Sequence, residues 1–238
     1  MTDPTPPGNG IENRILLNLA AAEREQLLPL LEPVHLGFGQ VLYNIGAVID
    51  FVYFHNRGMS SLISYTQEGG RIEVGMVGYE GVTGLQAFLG TGISEHYAVM
   101  QLADDGLRMA AEPFKQACAA LPSLQTVMLR YTQAMMTQFA QSVVCARFHS
   151  IEQRLCRWLL TSQDTVRSDE IRLTQEFLAA MLGVNRPGVT LAARLLQTAG
   201  LIDYRRGLIV ILDRQGLEAA SCECYAMIAA AFRWLFAA

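Results

Sequence analysis

The sequence predicts an α+β chain in three parts: a strand-rich N-terminal domain, one long helix, and a C-terminal winged helix-turn-helix. Three observations predict it. Short runs of β-branched and aromatic residues separated by glycines fill Val34 to Met109. Leu121 to Ala146 has helical spacing and a single charged residue, Arg130. Arg172 to Ile211 reads as helix, glycine turn, helix and hairpin.

Length and composition set the bounds. The 238 residues give room for one large or two ordinary domains, and 51% hydrophobic residues is ample for their cores. The first ten residues hold three prolines and two glycines without a basic or apolar leader, so Met1 to Gly10 is expected to be a flexible tail. No uninterrupted apolar run is long enough to cross a membrane. Five cysteines at irregular spacing fit a reducing compartment better than a disulfide framework, which makes the cytoplasm the expected location.

Ile11 to Leu31 has helical spacing in two pieces, with Ile15, Leu16 and Leu19 followed by Leu27, Leu28, Leu30 and Leu31. Strands are then expected at Val41-Leu42-Tyr43, Phe51-Val52-Tyr53-Phe54, Leu62-Ile63-Ser64-Tyr65, Ile72-Glu73-Val74 and Tyr97-Ala98-Val99. Many short strands between glycine turns indicate a sandwich, roll or barrel rather than a parallel sheet.

The segment from Leu121 to Ala146 is too polar for a membrane span, and as a helix it would reach about 39 Å. It carries two apolar stripes. Leu124, Met128, Tyr131 and Met135 form one, and Leu129, Met136, Phe139 and Val143 form another on a different face. A helix apolar on two sides needs two surfaces to cover it, so one stripe can pack in its own chain while the other meets a second copy. Leu124, Met128, Tyr131, Met135 and Phe139 are assigned to that homodimer interface. Ser150 and Gln153 then form a capping box for a further helix, and the boundary between domains is expected near Phe148 and His149.

In the C-terminal part, Thr174 can cap a short helix carrying Phe177, Leu178, Met181 and Leu182, which Gly183 ends. Asn185 can cap a second helix with Arg186 and Pro187 in its first turn, where proline costs no hydrogen bond. Val189, Ala192, Ala193, Leu195 and Leu196 are expected on its buried side. Leu201 to Tyr204 and Leu208 to Ile211 read as two strands joined across Arg205-Arg206-Gly207. Such a helix pair with a basic-tipped hairpin presents a helix to the major groove of duplex DNA. The exposed donors would be Asn185, Arg186, Thr190, Arg194, Arg205 and Arg206. Asp213 to Phe236 reads as one more helix.

Charge is distributed to match. The net charge of −4 divides into −6 over residues 1–146, +3 over 147–214 and −1 beyond. Only one part of the chain suits a polyanion, and so small an excess calls for a dimer to become specific.

A β-rich domain, a long helix and a winged helix-turn-helix, in that order, resemble the Crp/Fnr family of bacterial transcription regulators. The resemblance is most specific at Leu173-Thr174-Gln175-Glu176, at Leu182-Gly183-Val184-Asn185-Arg186, at Val189-Thr190 and at Gly200-Leu201-Ile202. It implies a β-roll sensor of the cyclic-nucleotide-binding type, a double-stranded β-helix, over 11–120. A dimerisation helix over 121–147 and a DNA-binding domain with a helical extension over 148–238 would follow. It also implies a homodimer on double-stranded DNA with RNA polymerase as a further partner. By position Arg186 would read a base edge, while Thr174, Gln175, Asn185 and Arg194 would hold phosphates. Pro187 and Leu191 stand where the best-known members carry an acidic residue and an arginine, so the operator is expected to differ; Leu191 could pack on a thymine methyl.

The sensor departs further. Cyclic-nucleotide binders of this family pair a glutamate with the ribose and an arginine with the phosphate. The matching stretch here, Gly78 to Leu85 and then Ser94 to Ala98, has Val82 near the glutamate position, and no arginine lies between Arg71 and Arg108. Cyclic AMP is therefore not expected to bind, because a buried phosphate without a cation is disfavoured. An iron-sulfur cluster is not expected, since the first cysteine is Cys118. Haem on His35, His55, His96 or His149 is not expected either. Redox or metal sensing through Cys145, Cys156, Cys222 and Cys224 is set aside because two thiols two apart on a helix point to different sides. No cofactor or metal is assigned, and the effector stays unassigned. The alternative to a DNA-binding regulator is a ligand-binding or protein-interaction module with weak or vestigial DNA binding. No nucleophile-base spacing, phosphate loop or metal motif points to an enzyme.

Overall fold

The computed structural model describes residues 10–237, so most of the N-terminal segment expected to be a tail lies outside the described residues. By contacts the chain divides into two units. One joins the described residues up to Ser60 with Val77–Thr132, and the other joins Ser61–Met76 with the chain from Gln133. Among the described residues no helix is long and apolar enough to cross a membrane.

The first unit opens with α1 (Arg14–Leu17), capped by Asn13, whose Oδ1 accepts from the Ile15 and Leu16 amides while its Nδ2 donates to the His55 and Gly81 carbonyls. One buried side chain thus satisfies a helix end and two distant carbonyls. Helix α2 (Ala21–Leu27) and a single 3₁₀ turn follow. The strands β1 (Glu32–Leu36), β2 (Val41–Tyr43) and β3 (Phe51–Phe54) come next, and β4 (Met59–Tyr65) and β5 (Arg71–Val77) carry the chain through the second unit and back. Helix α3 (Leu85–Leu89), strands β6 (Tyr97–Leu102) and β7 (Asp104–Ala110) and helix α4 (Ala111–Ala120) complete the first unit.

A three-stranded antiparallel sheet has the order β1-β7-β3, and β2 runs antiparallel to β6 with a register shift between Val41 and Tyr43. Val52, Phe54, Met100, Met109 and Phe114 are buried between these strands and α4, with the Phe54 and Phe114 rings edge to face at 6.0 Å. The β1 and β7 strands and the α3 and α4 helices went unread in the sequence. Pro33 sits in β1, an edge strand, where proline is tolerated, and β7 begins with two aspartates and a glycine.

The long helix, α5 (Pro122–Phe148), opens on proline, and the Glu23 carboxylate accepts from the Ser123 and Leu124 amides at its N-terminus. In the second unit α6 (Ile151–Val166) begins at the capping box formed by Ser150 and Gln153 and buries Leu155, Trp158, Leu159 and Leu160. Then come β8 (Glu170–Arg172), α7 (Gln175–Leu182), α8 (Arg186–Thr198), β9 (Ile202–Arg205) and β10 (Leu208–Ile211), with sheet order β8-β10-β9. The C-terminal segment expected as one helix is two, α9 (Arg214–Ala220) and α10 (Cys224–Leu235). Ser221 takes an extended conformation and breaks the run. Arg214 anchors this extension to α6, 2.7 Å from Asp164 and 2.6 Å from the Tyr225 hydroxyl.

Candidate nucleic-acid interface

The two helices of the motif are fixed by their ends. Thr174 Oγ1 accepts from the Phe177 amide at 3.2 Å and Asn185 Oδ1 from the Gly188 amide at 2.9 Å, so α7 and α8 start where the sequence placed them. Between them Gly183 has φ +60, which favours glycine, and a Cβ there would push on the Ile72 side chain at 2.8 Å. Leu178, Met181 and Leu182 of α7 and Val189, Ala192, Ala193 and Leu196 of α8 are buried. Leu195, expected among them, is exposed; it follows Leu191 by one turn and shares its outer side.

Four of the nine residues assigned to DNA, Arg186, Leu191, Arg194 and Arg206, are exposed and carry no cap or ion pair in the described contacts. Thr174 and Asn185 are the caps, whose hydroxyl proton and amide N–H donors remain beyond the capping bond. The Thr190 hydroxyl lies 2.8 Å from Gln175 Oε1 and 3.0 Å from the Arg186 carbonyl, and its one proton serves one of them at a time. Arg205 is exposed but paired with Asp203 at 3.0 Å.

The hairpin places Leu208 opposite Arg205, leaving Arg206 (φ +49) and Gly207 (φ +80) as a two-residue loop with both φ positive, the primed turn that matches strand twist. Arg206 therefore stands at the tip. Tyr204, which sequence reasoning passed over, donates its hydroxyl to the Leu173 carbonyl at 3.0 Å, and the Arg186 guanidinium acts on that phenol, whose pKa burial raises. Tyr204 thus links the wing to the segment leading into α7. Its place at an alternating position of an amphipathic strand was the available signal.

The assignment of the subunit interface needs correction. Leu124, Met128, Tyr131 and Met135 are at most 1% exposed within a single chain, and Phe139 is half-buried beside Gly75. The stripe that stays exposed is the other one: Leu129 at 59%, Met136 at 66% and Val143 at 70%. Periodicity identified two faces, and only the packing tells which is already covered.

In the first unit, Val82 and Thr83, in the stretch compared above with the family's nucleotide cassette, are held by hydrogen bonds. Val82 is buried and its carbonyl accepts from the Tyr131 hydroxyl at 3.0 Å. Thr83 exchanges both backbone hydrogen bonds with Tyr53, and its hydroxyl lies 2.9 Å from His55 Nε2 and 2.7 Å from Ser60 Oγ. Burial raises the Glu80 carboxyl above the ordinary carboxylate range. A surface cleft of about 470 Å³ in this unit is lined by Glu12, Asp104 and Asp105 alongside His35 and Arg57.

The histidines are placed differently from one another. His55 is fully buried, with Nδ1 3.3 Å from Asp104, and His35 is exposed beside Asp105 at 2.7 Å. His149 meets cysteines. Cys222 lies in the break before α10 and Cys224 is its first residue, so the premise that both sit on one helix fails.

Residues 153–220 match the family model of the Crp-like helix-turn-helix domain. No curated protein matches the chain. Among solved structures it is similar to FixK2 from Bradyrhizobium japonicum, with TM-score 0.68 and 15% identity over 81% of this chain and 98% of that one. It is similar to a Crp/Fnr family transcriptional regulator from Thermus thermophilus, with TM-score 0.64 and 20% identity over 80% and 98%. The c-di-GMP-responsive global regulator CLP from Xanthomonas campestris gives TM-score 0.63 and 16% identity over 82% and 100%. The protein thus carries a Crp-like helix-turn-helix domain over residues 153–220 and shares its fold with solved Crp/Fnr transcriptional regulators.

Proposed function

We propose that the protein is a homodimeric, sequence-specific transcription regulator that places α8 in the DNA major groove and acts without cyclic AMP. The observation that carries this reading is the outer side of α8, where Arg186, Leu191 and Arg194 are exposed next to a hairpin tipped by Arg206. Arg186 in the first turn reads a guanine edge, Leu191 meets a thymine methyl, and the caps Thr174 and Asn185 with Gln175, Arg194 and Arg206 hold phosphates. Thr190 and Arg205, each engaged within the domain, position their neighbours as much as they contact DNA.

Dimerisation is supported by Leu129, Met136 and Val143, an exposed apolar stripe at seven-residue spacing along α5. Two such chains present two α8 helices to a near-palindromic site with half-sites about one helical turn apart. In functional terms residues 11–120 form the sensor, 121–147 the dimerisation helix and 148–238 the DNA-binding part, which acts on transcription through RNA polymerase.

Independence from cyclic AMP is supported by Val82 and Thr83, buried and hydrogen-bonded inside the first unit, and by the lack of an arginine between Arg71 and Arg108. Selection of bound sites from fragmented genomic DNA, with and without cyclic AMP, tests the reading. One near-palindromic motif recovered equally in both conditions is expected. No enriched motif would overturn the DNA-reading claim, and calorimetric binding of cyclic AMP at micromolar concentration would overturn its independence.

A further inference from the structure

The end of α5 and the break between α9 and α10 bring three cysteine thiols and one histidine imidazole together. Cys145 lies in the last turn of α5, and His149 follows one turn later in the link to α6. Cys222 occupies the break and Cys224 opens α10. Cys145 Sγ is 3.6 Å from Cys222 Sγ, Cys224 Sγ is 3.6 Å from His149 Nδ1, and all four ligand atoms lie within 4.8 Å of one another. The three cysteines are buried and free.

We propose that Cys145, Cys222, Cys224 and His149 Nδ1 form a tetrahedral site for a single divalent transition metal, Zn²⁺, that ties the end of the long helix to the C-terminal extension.

Bond lengths support it. With Zn–S about 2.3 Å and Zn–N about 2.0–2.1 Å, the edges of the coordination tetrahedron are about 3.5–3.8 Å. Both measured pairs fall in that interval, and the widest needs to close by roughly one ångström to meet it. A disulfide requires sulfurs about 2.05 Å apart and would employ only two of the three thiols, leaving the histidine without a part. A polynuclear iron-sulfur cluster needs irons between its thiolates, and a set this tight encloses one ion. Thiolate and imidazole donors select zinc-like ions over magnesium or calcium.

The surroundings fit as well. On the other side of the imidazole, His149 Nε2 lies 3.2 Å from the Glu223 carboxylate, which fixes the tautomer that leaves Nδ1 to bind metal. Three thiolates around a divalent ion leave one negative charge. The guanidinium of Arg157, buried and with no hydrogen-bond partner at Nε, acts on Cys145 and offsets it. The spacing hides the site from a sequence motif: two ligands one turn apart lie before the helix-turn-helix, and two separated by a single residue lie after the wing.

The test is titration of the full-length, reduced, metal-depleted protein with Co²⁺, followed by displacement with Zn²⁺. One equivalent is expected to give the visible bands and thiolate charge-transfer absorption of tetrahedral cobalt, and Zn²⁺ is expected to abolish both and raise the melting temperature. Cys224→Ser should weaken Co²⁺ binding at least tenfold, and Glu223→Gln roughly tenfold as a loss of support to the histidine. His149→Cys should keep one equivalent with stronger charge transfer, and Cys156→Ser, outside the cluster, should change nothing. The wild-type spectrum is read without any variant, so misfolding of a variant does not blur it. Octahedral or absent cobalt bands in wild type, an unchanged spectrum in a folded Cys224→Ser chain, or a wild-type protein held in a Cys145–Cys222 disulfide would each overturn the site.

Discussion

The Thr190 hydroxyl lies 2.8 Å from Gln175 Oε1, so each helix of the helix-turn-helix gives one side chain to a bond between them. Both residues look like DNA contacts in the sequence, and the structure gives them a partner in each other. Thr190→Val keeps the shape and removes the hydroxyl. It is expected to lower stability by about 1 kcal/mol, read as a lower urea midpoint, as well as to weaken operator binding. An unchanged midpoint with weakened binding would mean that the hydroxyl serves DNA alone.

Glu73 sets a pH dependence. Its carboxylate accepts from the Ser61 hydroxyl and from Trp158 Nε1 and is buried near Arg157, and desolvation raises its pKa to about 7. The folded state therefore holds its proton more tightly than the unfolded chain does. The stabilisation is complete below about pH 4.5 and is lost as pH rises through about 7. Relative to Glu73→Gln, the wild type should lose roughly 3 kcal/mol between those limits, as measured by urea unfolding at a series of pH values. Parallel pH profiles of the two proteins would contradict the shift.

Met136 tests the dimer. Met136→Glu adds a charge at a position 66% exposed in one chain, so folding should change by no more than about 0.5 kcal/mol. Sedimentation should nevertheless show a monomer, with operator affinity falling by at least tenfold. A dimer that survives Met136→Glu and Val143→Glu together would place the interface elsewhere.

Much of this was legible in the residues, for physical reasons. Caps and breakers act locally, so Thr174, Gly183, Asn185, Ser150 and Gln153 fixed helix ends that the structure reproduces. Strands such as Phe51–Phe54 announced themselves by composition. What stayed hidden depends on contacts between distant residues. Which stripe of α5 is covered, why Leu195 faces outward, and how Cys145 and His149 come to meet Cys222 and Cys224 follow from packing rather than period. All three arginines are exposed, and it is the ion pair to Asp203, formed within the wing strand, that separates Arg205 from Arg186 and Arg206.

The measurement closest to the central claim is the affinity of wild type and Arg186→Ala for the selected operator and for a scrambled duplex of the same length, at one fixed salt concentration. The claim predicts that Arg186→Ala loses about 1–3 kcal/mol on the operator, little on the scrambled duplex, and relaxes preference at one base pair of each half-site. Equal losses on both duplexes, or none on either, would contradict α8 as the reading helix.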